Sequence, residues 1–199
     1  MTARLLLLLV ALLPAVASAQ APKLHNYDII IVGGGKTEAE AQAVLDRLKA
    51  KVLWVRLTTG SWDYPGVKKS DDYPGLNKGL YIAVLGLCSR GKESGSRHLL
   101  KAVKALEPGA YSKHIRGQYG NPCPPVGAFT PPDAEEKKHL DRIAKEPRSA
   151  DAFYAYGLYL KEGGRLEEAR IVTDEAVEID PNHAEAKVLA QTLMVLLTD

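Results

Sequence analysis

The hydrophobic and polar positions of the chain write one plan twice: an apolar strand, a polar turn and an amphipathic helix. The first copy is Tyr27–Ala50, where an isoleucine-rich run meets three glycines and then a helix. The helix start is signalled by Thr37 followed three residues later by Glu40, the pattern of a reciprocal capping box. Ala41, Val44, Leu45 and Leu48 recur at three and four, which predicts one buried stripe. The second copy, Gly79–Leu106, repeats the scheme with Leu99, Leu100, Val103 and Leu106, and Glu107-Pro108-Gly109 stops it. A short strand is predicted after each helix, at Lys51–Leu57 and Ala110–Arg116. Four strands and two helices with single apolar faces predict a two-layer α+β sandwich, its sheet covered on one side.

Between the second and third predicted strands lies Thr58–Lys78, in which Tyr-Pro-Gly, a good turn former, occurs twice. A structureless insertion of that length is unusual in a compact domain and is often functional. Its aromatics, Trp62, Tyr64 and Tyr73, suit a ligand such as a sugar ring; they equally suit pinning the loop to its own domain. The segment Gly117–Asp133 is rich in proline and glycine and reads as a stiff connector. After it the pattern is wholly helical. Pro147 and Pro181 stand in matching surroundings, EPRSADAFYAYG and DPNHAEAKVLAQ, with Phe153, Gly157, Leu160, Ala169 and Ala176 between them.

Composition narrows the classes. Arg4, the apolar run Leu5–Leu13, Pro14 and Ala17-Ser18-Ala19 read as a secretory signal peptide over residues 1–19, which implies export to the periplasm or cell envelope and no membrane span after cleavage. The formal charge of +2 lacks the basic surplus of a nucleic-acid binder. Export permits a disulfide between Cys88 and Cys123; a buried free thiol at Cys88 is the alternative. Two cysteines and scattered histidines give no metal site. Gly35-Lys36-Thr37 lacks the earlier glycine of a phosphate-binding loop, since Ile30 stands there. No serine or cysteine occupies a nucleophile elbow, and Asp71 and Asp72 are adjacent rather than paired across a cleft. The expectation is a non-catalytic protein without cofactor.

Two resemblances sharpen that expectation. The helical stretch, with its small residues and its proline spacing, resembles a tetratricopeptide (TPR) repeat, with helices at Asp151–Lys161 and Leu166–Ile179. Asp133–Lys145 looks like half a preceding repeat and Ala184–Leu197 like a capping helix. The resemblance implies binding of a protein partner, and a single repeat needs neighbours on which to bury its apolar face. Tyr27–Arg116 resembles a SPOR domain through Val32-Gly33, the helix Thr37–Ala50, Leu80-Tyr81, Leu85-Gly86 and Pro108-Gly109-Ala110-Tyr111. That likeness implies a βαββαβ unit, a four-stranded antiparallel sheet with two helices on one face, and association with peptidoglycan glycan strands. The organisation is then a SPOR-like unit at residues 24–116, a linker at 117–132 and a TPR-like segment at 133–199.

The sequence departs from the SPOR pattern where Ile31 and Gly34 replace the usual glutamine and serine. Strand alternation turns Ile30, Val32, Ala83 and Leu85 toward the helices, and Ile29, Ile31, Ile82 and Val84 to the face where glycan is expected. Left wet, each of these four would forgo roughly 1.5–3 kcal/mol of burial, so the face is expected to be an apolar interaction face. Two readings result. In the first, the chain binds peptidoglycan, with Trp54, Arg56, Trp62, Tyr64 and Tyr73 as glycan contacts, and recruits partners through its helices. In the second, it is a protein-only adaptor whose sheet packs on its own TPR helices or a partner; a fold-over of the loop Thr58–Lys78 is the bland way to cover the same face.

Overall fold

The computed structural model describes residues 23–58, 63–90, 96–120 and 122–198. The signal peptide expected at residues 1–19, and Trp62, lie outside them. The architecture is α+β, with a four-stranded antiparallel sheet and, among the described residues, seven helices. In chain order these are β1 (His25–Gly35), α1 (Glu38–Lys51), α2 (Trp54–Leu57), β2 (Gly66–Lys69), β3 (Tyr81–Ser89), α3 (Ser96–Leu106), β4 (Tyr111–Gly117), α4 (Ala134–Lys145), α5 (Ala150–Glu162), α6 (Leu166–Ile179) and α7 (Ala184–Leu196). Strand order across the sheet is β2-β3-β1-β4.

Thr37 caps α1 as its sequence predicts. The Thr37 hydroxyl accepts the Glu40 N–H, and the Glu40 carboxylate accepts the Thr37 N–H at 3.0 Å. The backbone N–H groups of Thr37 and Lys36, both donating to it, hold the Glu40 carboxyl below its ordinary range. All four stripe residues, Ala41, Val44, Leu45 and Leu48, are buried, and the last three meet Ile30, Val32, Ala83 and Leu85 of the sheet and Leu99 and Val103 of α3 in one core.

The strand expected at Lys51–Leu57 is a correction. Lys51 ends α1, and Trp54–Leu57 forms the short helix α2. Its apolar residues divide between two cores: Val55 is buried in the core of the helical segment, with Leu53 and Trp54 packed against it, while Leu57 is buried in the core under the sheet. The edge strand is instead Gly66–Lys69, inside the stretch read as a structureless insertion, paired with Tyr81–Val84 of β3.

The connector is also more than a spacer. Beyond the end of β2, the Leu87 N–H donates to the Pro122 carbonyl at 2.9 Å, and Cys88 and Cys123 are joined in a disulfide. Gly86 permits that approach, because a Cβ there would sit 2.0 Å from the Pro122 oxygen. Ala128 and Phe129 then enter the sandwich core.

Helices α4 to α7 enclose a second core built on Phe153, Tyr156, Leu160, Val172, Ala176 and Leu193. Gly157 lets α5 and α6 approach closely, since a Cβ there would meet the Thr173 hydroxyl at 2.4 Å. No helix among the described residues is long and apolar enough to cross a membrane.

Candidate functional site

Two places bring together residues singled out in the sequence, and a third brings together residues that were not. The first is the sheet face opposite α1 and α3. Ile29, Ile31, Ile82 and Val84 all point there, as the alternation predicts, yet none is available: their exposures are 0, 0, 4 and 0%. The cover is neither the helical segment nor an open surface. Tyr64, Tyr73 and Leu76 from the loop and Tyr119 from the connector pack over them, with Tyr27, Leu87 and Ile115 completing the cluster. The expectation of an apolar interaction face is therefore corrected: the chain covers this patch with its own loop.

The cover is held by its polar tips as well as its rings. The Tyr64 and Tyr73 hydroxyls share a hydrogen bond of 2.6 Å, Tyr119 lies 5.6 Å from Tyr73 and from Tyr27, and Lys68 sits over the Tyr64 ring. Burial pushes the phenols of Tyr64, Tyr73 and Tyr119 above their ordinary range. Tyr73, expected as a glycan contact, is buried, and Tyr64 is half-buried against it. Beside this cover a slot of about 80 Å³ opens between Asn77 and Leu76 of the loop and Tyr111 and Lys113 of β4.

The second place is the seam between sheet and helices. Trp54 and Arg56, also expected to contact glycan, are both used there. The Trp54 ring lies 5.7 Å from Phe153. Arg56 is 7% exposed and donates from Nη2 to the carbonyls of Gly127 (2.7 Å) and Thr130 (2.8 Å). The same nitrogen stands 3.6 Å from Oε1 of Glu136, itself 4% exposed. That oxygen also accepts from the Tyr156 hydroxyl at 2.6 Å and from Nη1 of Arg165 at 2.8 Å; Arg165 in turn pairs with Glu168. Burial and the bond to Glu136 raise the Tyr156 phenol. A buried carboxylate ringed by two guanidinium groups and a phenol satisfies the condition under which buried charge is tolerated. Residues from α2, the connector, α4, α5 and α6 meet at this point.

The third place is a groove of about 370 Å³ between α5 and α7, lined by Tyr154, Lys161, Glu185, Val188, Leu189 and Thr192. His183 caps α7, its ring 5.3 Å from that of Tyr154. Its Nδ1 accepts the Ala186 N–H at 3.2 Å, which leaves Nε2 to carry the proton and donate to Asp151 at 3.1 Å. Along α7, Val188 is 63%, Met194 51% and Val195 55% exposed, followed by Leu196 and Leu197. Periodicity places α7 but does not show which of its faces stays open, so no residue here stood out in the sequence.

Among the described residues no group of three or more His, Cys, Asp or Glu is placed to hold a metal ion. Compared with models of protein families, with curated proteins and with solved structures, the chain finds no match in any of the three.

Proposed function

We propose that the chain is an exported, non-catalytic binding protein of the bacterial cell envelope, and that it works as a protein adaptor. In this reading the SPOR-like βαββαβ unit is a closed scaffold, and the TPR-like helices carry the binding surface. One observation carries it: the sheet face that would meet a glycan is sealed by Tyr64, Tyr73, Leu76 and Tyr119, whereas α7 keeps a row of aliphatic side chains in solvent beside the α5–α7 groove. Apolar surface held open beside a groove is where a partner gains most from contact.

A photoreactive residue at Val188, on the open face, tests this in the intact envelope. The reading predicts a discrete cross-linked protein product from Val188, weakened by Val195→Glu, and none from a probe at Lys113 on β4. Efficient cross-linking from Lys113 with none from Val188 contradicts it.

The slot beside Tyr111, Asn77 and Lys113 supports a second reading, association with peptidoglycan from the edge of the sheet rather than its centre. An exposed ring beside a cation and an amide suits a hydroxyl-rich ligand. Retention on purified sacculi that is lost with Tyr111→Ala would favour it.

A further inference from the structure

The near-neutral total conceals a division of charge between the two units. Residues 23–117 carry 16 Lys and Arg against 9 Asp and Glu, a surplus of +7; residues 133–199 carry 9 against 15, a deficit of −6. Signs mix locally but segregate by unit. Within the chain the two surpluses do not meet: among the described residues the one ion pair joining the units is Arg56–Glu136.

The excess is arranged in facing patterns. Helix α3 has no acidic residue, and Arg97, Lys101 and Lys104, at i, i+4 and i+7, form one exposed stripe. None of the three makes an ion pair among the described residues. Helix α6 is the counterpart. Glu167, Glu175 and Glu178 fall on one side of it and are likewise unpaired, and Arg170 is its only cation. Burial and the neighbouring Glu178 hold the Glu175 carboxyl above its ordinary range, the mark of acid without a compensating cation. Lys101 and Lys104 share the three-residue spacing of Glu175 and Glu178, so two helices laid side by side bring both pairs into register.

We infer that the chain associates with a second copy of itself, the basic face of α3 in one copy docking on the acidic face of α6 in the other. The inference is independent of the adaptor reading, which concerns α7 and its groove. Like units repel and unlike units attract, so the contact selects sheet against helices and rejects sheet against sheet.

Sedimentation of the protein purified after export tests it. At an ionic strength of about 0.01 M, where charges reach about 30 Å, the mass is expected to rise with concentration above that of one chain. It is expected to fall back to the monomer in about 1 M salt, where the reach is about 3 Å. Lys101→Glu with Lys104→Glu, and separately Glu175→Lys with Glu178→Lys, should each leave a monomer at low salt, with helix content checked by circular dichroism. An equimolar mixture of the two variants should associate again, because each then offers the other a complementary face. A wild-type chain that stays monomeric at low salt at the highest attainable concentration overturns the inference. So does association that survives about 1 M salt or both charge-reversed variants, which would assign the contact to the apolar end of α7.

Discussion

The sheet and the helices treat their apolar surface in opposite ways. The sheet is finished on both sides: α1 and α3 cover one face, and a loop and a connector from the same chain cover the other. The helical segment buries Phe153, Tyr156 and Leu160 within itself but ends in α7, whose outer residues Val188, Met194 and Val195 stand more than half exposed. A closed unit has little left to offer except charge. An open-ended one offers hydrophobic area, and there a partner has something to gain. The two nevertheless interlock, because α2 sends Val55 into the helical core and Leu57 into the sandwich core, which Ala128 and Phe129 also enter.

The strongest challenge to that coupling is Glu136→Ala. It strips Arg165 and Tyr156 of their shared acceptor and Arg56 of its carboxylate partner, and breaking such a buried arrangement costs about 3–5 kcal/mol. Urea denaturation should show one transition at lower midpoint by both near- and far-ultraviolet signals. Separate transitions for sheet and helices would show independent units.

Opening the Cys88–Cys123 disulfide comes next. Its 35-residue separation closes a loop for which chain entropy gives about 2–4 kcal/mol. Cys123→Ser should lower the thermal midpoint and make the connector sensitive to protease near Pro122, while the helices stay intact.

Tyr73→Phe probes the cover of the sheet more gently. Losing the hydroxyl pair with Tyr64 should cost about 0.5–1.5 kcal/mol, read as a small drop in the urea midpoint. Buried phenols of the cover and of the helical core set an alkaline limit. Folded Tyr64, Tyr73 and Tyr156 have phenols raised above the unfolded value of 10.0, so their contribution is complete below pH 10 and is lost as pH rises through the folded values. Their phenolate absorbance should appear together with unfolding. Thr37→Ala, removing one cap of α1, should cost about 1 kcal/mol. At acid pH the Glu40 and Asp133 carboxyls, both held low by backbone donors, lose their contribution as pH falls through their folded values, a smaller effect still.

The sequence was readable where structure is local. The cap at Thr37 and the stripe of α1 follow from neighbours within a turn or two, and α1 and α4 to α7 appear within a residue of their expected ends. Lys51–Leu57 misled because a run of Val, Leu and Trp suits a strand, whereas Phe153 and the carbonyls of Gly127 and Thr130, all distant in sequence, engage Trp54 and Arg56 of a helix. Strand β2 was hidden by its brevity and by the Tyr-Pro-Gly turn before it. The four aliphatics of the outer face were placed correctly, but their cover was not, since nothing local says that Tyr64, Tyr73 and Tyr119 converge. Of the candidate site, the residue types were visible and their engagements were not: Trp54 and Arg56 serve the seam.

Retention of the intact, disulfide-bonded protein on purified peptidoglycan sacculi bears most directly on whether the sheet is a closed scaffold. With Ile29, Ile31, Ile82 and Val84 sealed beneath the tyrosines, the protein should remain in the supernatant at physiological salt. Saturable retention, competed away by soluble glycan strands, would contradict that and return the sheet to the role of a wall-binding surface.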